Sequence, residues 1–519
     1  MTIEKTSWEL STGLDKGPIS RSYWVVPGRF AAGAYPGTPI NEVAKSDTKP
    51  ITALIDDGID VFVNLTQDYP SGTDKHLNRY DELAGSDITI ERFPIEDLSI
   101  PTSGEMNTIL DAIDAHLVRD KNVYVHCWGG IGRTGTVIGC WMIRHGLTTP
   151  SEVIKTIKEL RLQDTAHHRI SPETEQQCEF VRNWETPPPT RLDKIVGCLL
   201  GGAIGDALGA GIEFHRINQI RDEFGPDGVT SFTPEYGHQA PITDDTQMTL
   251  FTAEGLRQSV SLGSDPIQSV WAAYQRWLHT QQVSSPDQTS SDSRGLASNP
   301  RLYSRRAPGN TCLSALETGI PGSTENLINN SKGCGGVMRA APAGIYATSA
   351  QQAYTVGCSI AALTHTHPTG WTAAGVFAVL VHGLLNKLTK QEALNQAVSI
   401  AETDPKAAEV VAKLAAAMEL SKLKKLRPEE IETLGAGWIA EEALAIAVCC
   451  FMSDRSPRSQ MLLSVNHSGD SDSTGAILGN LIGAHQGQQA LPTAWKNTVE
   501  LRDLIIEEAK LLHLTQETI

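Results

Sequence analysis

The run Thr186-Pro187-Pro188-Pro189-Thr190 is the feature that most constrains how this chain folds. Consecutive prolines cannot continue a helix, and they form a stiff, extended spacer. The chain has 519 residues, which is more than one ordinary hydrophobic core holds, so the run predicts two domains joined by a linker. The predicted division is a first domain at 1–185, a linker at 186–193 and a second domain at 194–519.

The first domain mixes strand and helix signals. Short apolar runs at 61–65 and 122–126 are typical of buried strands, whereas apolar residues recur at helical spacing from Glu105 to Leu117. Thr149, with Glu152 three residues later, predicts a capping box at the start of another helix. Strands and helices in this order indicate an α/β fold with a central sheet flanked by helices.

The second domain has a different residue composition and is predicted to be all-α. Few β-branched alternations occur in it, and small residues at close spacing allow helices to approach each other. Residues 282–310 are rich in Ser, Asp, Arg and Pro, which predicts a long loop. The Ala-, Gly- and Leu-rich segments expected to form helices are 195–212, 245–260, 335–348, 370–387, 437–452 and 474–487.

Composition limits the partners and the location of the protein. A net charge of −17 argues against nonspecific binding to nucleic acid and against anionic membranes. The first residues lack the apolar core of a secretory signal, and the apolar stretches are short and interrupted, so no membrane span is expected. Nine cysteines without metal or disulfide spacing predict a reduced, cytoplasmic protein.

The first candidate site is the segment 125–135, which reads VHCWGGIGRTG. Its glycines allow backbone N–H groups to converge on an oxyanion, and a helix beginning near Arg133 adds its positive end. The Arg133 guanidinium matches two phosphate oxygens, and such surroundings lower the pKa of a thiol. An isolated Cys127 would most often be a core residue, but the full pattern His-Cys-x5-Arg-Thr-Gly favours a nucleophile.

This pattern resembles the protein tyrosine and dual-specificity phosphatase superfamily over most of residues 20–185, and Val26 to Gly33 resembles its opening strand. The resemblance implies that Cys127 is a nucleophile that forms a phosphocysteine and that Arg133 clamps the phosphate. The implied phosphate-binding residues are Trp128, Gly129, Gly130, Ile131, Gly132, Arg133 and Thr134. Trp128 either stacks on the substrate or simply packs against the protein.

A departing alkoxide needs a proton, and the superfamily carries its acid loop about thirty residues before the nucleophile. In this sequence Phe93-Pro94-Ile95-Glu96-Asp97-Leu98 occupies that place. The resemblance therefore implies that Asp97 is the general acid, with Asp68 as the second choice. Gln177 is either a water-positioning residue or an ordinary residue on a helix surface.

The second candidate site consists of three acidic segments that lie far apart in the second domain. Glu213 ends a small-residue helix, Thr243-Asp244-Asp245-Thr246 opens another, and Gly469-Asp470-Ser471-Asp472-Ser473-Thr474-Gly475 comes much later. Each segment alone is typical of a helix cap or a turn. Together they predict a cluster of hard oxygen ligands, which suits Mg²⁺ or Mn²⁺.

The set resembles the ADP-ribosylglycohydrolase family, which includes the dinitrogenase reductase-activating glycohydrolases, from about 195 to 512. Residues 306–311, 335–339, 364–365 and 437–443 also occur in family order. The resemblance implies an all-α fold with two Mg²⁺ or Mn²⁺ ions. The implied ligands are Glu213, Thr243, Asp244, Asp245, Asp470, Asp472 and Ser473, where the last position is often Thr in the family.

The same resemblance implies the chemistry of this second site. Two metal ions orient the ribose hydroxyls of ADP-ribose and hold a water against the anomeric carbon. Asp245 or Glu213 manages the proton, and the sequence does not decide between them. The implied ADP-ribose-binding residues are Ser331, Gly333, Cys334, Gly335, Gly336, Met338 and His365, where the family often has Asn in place of Cys334.

These features predict a bifunctional hydrolase. One site would hydrolyse a phosphomonoester and the other an ADP-ribosyl glycosidic bond, on an ADP-ribose-containing substrate that is free or attached to protein or nucleic acid. A compound that carries both groups, such as ADP-ribose phosphate, suits both sites. The alternatives are a protein phosphatase that also reverses ADP-ribosylation of its target, and a reader module that binds ADP-ribose with little turnover.

Overall fold

The computed structural model describes residues 8, 10–37, 49–67, 72–85, 88–185, 189–287, 289–516 and 518. The chain divides into two compact units, Met1–Pro187 and Pro188–Ile519. Asp68, the second choice for the general acid, lies outside the described residues, as do residues 186–188 of the predicted linker. The linker was predicted to extend to 193, but a helix already begins at Arg191 because the Thr190 side chain caps it.

The first unit is an α/β fold, as predicted. Its five-stranded sheet has the order β1-β2-β5-β3-β4; β1 pairs with β2 antiparallel, and the other pairs are parallel. The strands are β1 Ser22–Val26, β2 Phe30–Gly33, β3 Val61–Asn64, β4 Thr89–Arg92 and β5 Val123–His126. The helices are α1 Lys49–Asp56, α2 Asp81–Ala84, α3 Ser103–Val118, α4 Gly132–Arg144, α5 Val153–Leu160 and α6 Glu175–Arg182.

Strand β5 is central in the sheet and buried on both faces. Val123 and Val125 pack into one hydrophobic cluster, and Tyr124 packs into the other. The segment from Val26 to Gly33, which resembles the opening strand of the superfamily, contains the end of β1, a turn at Gly28 with φ +68°, and all of β2. One local prediction was wrong. No capping box forms at Thr149, since α5 begins only at Val153.

The second unit is helical. Isolated β-bridges are the only β-structure among its described residues. Its long helices are α7 Arg191–Gly209, α9 Asp244–Leu262, α10 Pro266–Gln282, α13 Ala350–Ala362, α14 Pro368–Leu385, α15 Lys390–Glu402, α16 Ala408–Ser421, α18 Ala440–Met452, α20 Ser471–Gln486 and α22 Arg502–Gln516. The shorter ones are α8 Ile217–Phe224, α11 Asn310–Glu317, α12 Ala341–Tyr346, α17 Pro428–Ile431, α19 Pro457–Val465 and α21 Thr493–Thr498. The loop predicted at 282–310 contains three short 3-10 helices, Ser291–Ser293, Gly295–Ser298 and Pro300–Leu302.

Helices α7 and α20 pack backbone against backbone through glycines spaced four residues apart. A Cβ on Gly201 would lie 2.3 Å from the carbonyl oxygen of Gly479, and one on Gly205 would lie 1.9 Å from that of Gly475. Larger residues would therefore force the helices apart. This close contact places the C-terminal part of α7 beside the acidic start of α20, where two of the candidate segments meet.

One described helix, α14, has the length and apolar composition that a membrane span requires, but 94% of its apolar window is buried inside the protein. Helix α14 is thus a core helix of the second unit.

Candidate functional sites

Cys127 directly follows the buried strand β5 and is itself 3% exposed. The loop after it leads into α4 at Gly132. Within the described part of the chain, the backbone N–H groups of Trp128, Gly129, Gly130 and Ile131 donate no hydrogen bond to the protein. Four consecutive unpaired donors at a helix N-terminus form a cradle for an anion.

Residues outside the loop hold its shape by donating hydrogen bonds to its carbonyl groups. The Tyr35 N–H donates to the Trp128 carbonyl at 2.9 Å, the Arg21 guanidinium to the Gly129 carbonyl at 2.6 Å, and the Ser171 hydroxyl to the Ile131 carbonyl at 2.7 Å. Gly130 has φ +68°, and a Cβ there would lie 2.3 Å from the backbone of Gly33. Only glycine fits this position without strain.

Arg133 is 1% exposed and is anchored by a carboxylate that the sequence interpretation missed. Its two terminal nitrogens donate to Asp74 at 2.6 and 3.0 Å, and one of them lies 2.9 Å from Asp97 Oδ1. Burial alone would lower the pKa of Arg133, but the hydrogen bonds that it donates to Asp74 raise it. The Arg133 Nε is buried without a partner, so Asp74 holds one edge of the guanidinium and leaves Nε available.

The acid loop follows β4 and brings Asp97 to this arginine. The Asp97 side chain is 37% exposed, and the next residue, Leu98, has φ +62°, which is rare for a residue with a branched side chain. Gln177 is fully buried; its amide donates to the Ser99 carbonyl at 3.0 Å, and its oxygen accepts from the Thr174 N–H at 3.1 Å. Gln177 is therefore not a surface residue, and it fixes the acid loop to the start of α6.

Three further side chains complete this site. Thr134 is buried, and its hydroxyl has no partner in the described contacts. Trp128 is 48% exposed and stands edge-on to His76, with ring centroids 5.0 Å apart. Burial lowers the pKa of His126 to about 3, so this ring is neutral and bonds to the Tyr80 hydroxyl at 2.6 Å.

In the second unit, Asp206 organises the start of α9, a role that the sequence interpretation did not assign to it. This fully buried carboxylate accepts from the Thr243 N–H at 3.0 Å, from the Thr246 N–H at 3.1 Å and from the Thr246 hydroxyl at 2.5 Å. Asp206 belongs to α7, which packs on α20. The bond network therefore ties the starts of α9 and α20 to one helix.

The predicted acidic ligands lie buried around these helix starts. Asp244 Oδ2 accepts from the Gly309 N–H at 3.2 Å, whereas Asp245 Oδ2 is buried without a partner. The Ser473 N–H donates to Asp470 at 3.2 Å and to Asp472 at 2.9 Å. The remaining predicted ligands are the Thr243 hydroxyl, which caps α9, and Glu213, whose Oε2 is also buried without a partner.

The carboxylates strongly perturb one another. Burial, followed by the charge of Asp472, raises the pKa of Glu213 to about 11, and burial and Asp472 raise that of Asp206 to about 7. Burial and Asp472 also hold the pKa values of Asp244, Asp245 and Asp470 well above their ordinary range. The three segments, distant in sequence, meet where α7 holds the start of α9 through Asp206 and packs on the start of α20.

The donors at this site fit hard divalent cations. Among the described residues, no three His, Cys, Asp or Glu side chains are already arranged to hold a metal ion by themselves. The set of oxygen donors also includes the hydroxyls of Thr243 and Ser473. Two buried carboxylate oxygens without partners, on Asp245 and Glu213, are what an oxygen-ligated cation would satisfy.

The predicted ADP-ribose loop is adjacent to this cluster. The N–H groups of Ser331, Gly333 and Cys334 bond to Asn329, to the Ser331 hydroxyl and to the Trp438 carbonyl. These three N–H groups therefore shape the loop and are not free to bind the diphosphate of ADP-ribose. Gly335, Gly336 and Met338 are buried beside them.

His365 is buried behind the loop. A Cβ on Gly335 would lie 2.9 Å from its ring, and burial, followed by the charge of Arg339, lowers the pKa of His365 to about 3. The sequence interpretation also missed an aromatic pair beside the acidic cluster. Phe214 and Trp438 are 71% and 41% exposed and stack with centroids 5.5 Å apart. They directly follow Glu213 and Gly437.

Comparison with known proteins supports both units. A sequence model of the family "Polymorphic toxin system, DSP-PTPase phosphatase" matches residues 37–147. An uncharacterized protein of Methanocaldococcus jannaschii is 40% identical over 88 residues, 17% of this chain, and the match spans only 50% of that relative's length. The solved active form of Tk-PTP aligns with 23% identity and a TM-score of 0.22 over 30% of this chain and 89% of that one.

The second unit gives longer matches. The ADP-ribosylhydrolase ARH3 of Mus musculus is 24% identical over 60% of this chain and 88% of its own length. The ADP-ribosyl-[dinitrogen reductase] glycohydrolase of Rhodospirillum rubrum is 23% identical over 60% of this chain and 92% of its own. A solved ADP-ribosylglycohydrolase-related protein complex aligns with 25% identity and a TM-score of 0.44 over 63% of this chain and 99% of that one.

The family model described as ADP-ribosylglycohydrolase matches residues 187–518, which is more than half of the chain. The phosphatase-like unit precedes this match. The protein is a hydrolase with a dual-specificity-phosphatase-like N-terminal unit, and it belongs to the ADP-ribosylglycohydrolase family.

Proposed function

We propose that the protein is a bifunctional hydrolase that removes a phosphate group with Cys127 and cleaves an ADP-ribosyl glycosidic bond at the acidic cluster with Mg²⁺ or Mn²⁺. The observation that carries the proposal is that each unit retains a nearly complete set of reactive groups. A degenerate reader module would have no need for two unpartnered buried carboxylate oxygens beside an intact set of acidic segments. The nine unpaired cysteines suit the reducing cytoplasm, where we propose it acts.

In the phosphatase reaction, the Cys127 sulfur attacks phosphorus and the bond to the leaving oxygen breaks. The N–H groups of 128–131 and Arg133 stabilise the charge on the phosphoryl oxygens. Asp97 gives its proton to the leaving oxygen, and water then releases phosphate from the phosphocysteine. Thr134 supplies a hydroxyl that can support the leaving thiolate in that second step.

In the glycohydrolase reaction, Glu213, Thr243, Asp244, Asp245, Asp470, Asp472 and Ser473 would hold the metal ions. Bound there, such ions would supply Lewis-acid polarisation of a water and would orient the ribose hydroxyls. The carboxylates of this set stabilise the positive charge that develops at the anomeric carbon. Asp245 or Glu213, once ionised beside bound cations, would accept the proton of the attacking water.

We further propose that the two sites act on linked chemistry, with ADP-ribose phosphate as a compound that presents both groups. The test measures two reactions. The first is phosphate release from this compound, and the second is ADP-ribose release from a panel of substrates that carry ADP-ribose on arginine, on serine or on nucleic acid. Each assay is run with Mg²⁺, with Mn²⁺ and with chelator. Equal phosphate release by the wild type and by Cys127→Ser would reject the role of the cysteine.

The alternative protein-directed function makes a different prediction with the same panel. A phosphatase that also reverses ADP-ribosylation of its target would prefer phosphoprotein and ADP-ribosylated protein over the free compound. A reader would bind ADP-ribose in calorimetry and yield no product by chromatography.

A further inference from the structure

Arg339 is a cation that the interior of the second unit leaves without a counterion. Its side chain is fully buried, and among the described residues no carboxylate pairs with it. Its Nε also has no hydrogen-bond partner there. A buried charge of this kind is costly unless a negative group lies near it. The guanidinium instead contacts the Met248 sulfur at 3.2 Å, the Cys312 sulfur at 3.4 Å, the Thr364 hydroxyl at 2.6 Å and the face of the Tyr274 ring.

Two consecutive hydrogen bonds lead from Arg339 to the ring of His365. A guanidinium only donates, so the Thr364 hydroxyl oxygen accepts from it. The proton of this fully buried hydroxyl then has one acceptor among the described contacts, the Nδ1 atom of His365, with 2.8 Å between the oxygen and the nitrogen. Burial, together with the charge of Arg339, keeps the ring uncharged by lowering the pKa of His365 to about 3. A neutral ring that accepts at Nδ1 carries its proton at Nε2.

The protonated nitrogen lies beside the predicted ADP-ribose loop. A Cβ on Gly333 would lie 3.3 Å from Nε2 of His365, and one on Gly335 would lie 3.2 Å from it. Glycine at both positions therefore leaves room at this edge of the ring. Within the described part of the chain, Nε2 donates no hydrogen bond to the protein. An oxygen of a bound ligand would satisfy this donor.

We propose that Arg339 and Thr364 are positioning residues that fix His365 as a donor, through Nε2, to a phosphate oxygen of ADP-ribose. The inference rests on the proposed ADP-ribose-directed function of the second unit. Three N–H groups of the loop already bond within the protein, so the diphosphate needs donors from elsewhere. The Nε2–H group of His365 is such a donor at the same loop.

The fixed tautomer favours phosphate over a ribose hydroxyl as the acceptor. A hydroxyl both donates and accepts, so it would bond to either tautomer of His365, whereas phosphate oxygens accept only. Each donor in the series also polarises the next, and the charge of Arg339 therefore strengthens the Nε2–H group toward an anion. The bound diphosphate would in turn compensate the buried guanidinium without touching it.

The first experiment determines the tautomer of His365 in the full chain labelled with ¹⁵N-histidine. Nitrogen–proton correlation spectra of the imidazole rings distinguish Nδ1–H from Nε2–H, and the His365→Gln variant identifies the signal by its loss. We expect Nε2–H in the wild type and in Thr364→Ser, which keeps the hydroxyl, and a mixture of tautomers in Thr364→Val. An Nδ1–H ring in the wild type would overturn the inference.

The second experiment measures the Kd for ADP-ribose by calorimetry with Mg²⁺ present. Thr364→Val should raise the Kd roughly tenfold or more, because a hydrogen bond to a charged group weakens, and Thr364→Ser should restore it. His365→Gln, whose amide donates near the position of Nε2, should bind more tightly than His365→Asn, whose amide lies near the position of Nδ1. Thr372→Val is the matched control, because the buried Thr372 hydroxyl bonds to carbonyl groups of its own helix.

The negative results differ in what they reject. If the wild type binds ADP-ribose and Thr364→Val binds it equally tightly, the two positioning residues have no role in binding, while the proposed hydrolysis still stands. Equal losses in Thr364→Val and Thr372→Val would reject the inference in the same way. If the wild type neither binds ADP-ribose nor releases it from an ADP-ribosylated substrate, the proposed function fails as well. Circular dichroism monitors folding, and the tautomer of the wild type tests the inference even if a Thr364 variant misfolds.

Discussion

The two candidate sites use the same structural element, the N-terminus of a helix, in opposite ways. At the start of α4 the chain leaves its N–H groups unpaired and supplies Arg133, so the site is prepared for an external anion. At the starts of α9 and α20 the chain places its own carboxylates in the first turn. Those carboxylates gain from the helix dipole but repel one another, so the second site is prepared for cations. The N-terminus of a helix can thus contribute to sites of opposite charge, depending on the side chains that the sequence places in its first turn.

The largest expected effect follows from the independence of the two sites. Cys127→Ser should reduce aryl-phosphate hydrolysis by more than about 10⁴-fold, because the remaining cradle binds phosphate but contains no nucleophile. Metal-dependent release of ADP-ribose should not change in this variant. Asp245→Ala should show the reverse pattern, measured with the same two substrates. Loss of both activities in either variant would contradict independent sites.

The anion site also depends on a buried anion of its own, Asp74. Asp74→Asn should lower kcat/KM for aryl phosphates by about 10- to 100-fold, because Arg133 loses its bidentate anchor and moves within the cradle. KM and phosphate inhibition should change more than the pH profile, which identifies Asp74 as a positioning residue. Asp111→Asn removes an exposed carboxylate from its ion pair with Arg144 and is the matched control. Equal effects of the two variants would show that Asp74 has no special role at the phosphate site.

Local motifs carried much of this information in the sequence. Cys127 and Arg133 lie in one segment, and each acidic segment is recognisable at the start of a helix. Asp74 and Asp206 could not be found in this way, because their partners are 59 and 37 residues away and an isolated aspartate has no pattern. Small residues at close spacing in the second domain predicted that helices approach each other, but not that α7 and α20 would pair. The capping box at Thr149 failed because a local propensity is weaker than the packing that sets where α5 begins.

Gln177 offers a finer test, because it holds the acid loop of the phosphate site in place. Gln177→Leu should lower kcat about tenfold for alkyl phosphates, since the loss of the hydrogen bond to Ser99 shifts Asp97 and proton donation to the leaving group weakens. p-Nitrophenyl phosphate should lose much less, because its leaving group needs little protonation. The exposed neighbour Gln176→Leu is the control. If both substrates lose the same factor, Gln177 acts on binding or folding and not on the acid loop.

The smallest expected effect concerns stability. It depends on the sign of the charge that the side chains of each site carry. In the acidic cluster, the pKa of Asp206 is raised to about 7 and that of Glu213 to about 11, so the folded protein holds more protons than the unfolded chain. Its free energy of unfolding should therefore fall as pH rises from about 5 to about 8 without metal ions. Added Mn²⁺ should oppose this loss, because the ion binds the ionised carboxylates of the folded state only.

Differential scanning calorimetry of the full chain measures this effect as the unfolding temperature of the second unit at the two pH values. Asp245→Asn should weaken the pH dependence without metal and also remove part of the stabilisation by Mn²⁺, since the same carboxylate causes both. The transition of the first unit should not respond to Mn²⁺, because Asp74 and Asp97, the described carboxylates that contact Arg133, are already paired with this arginine. A second-unit transition that rises with pH in the absence of metal would mean that the carboxylates do not repel one another in the folded protein, and the contrast between an anion site and a cation site would no longer hold.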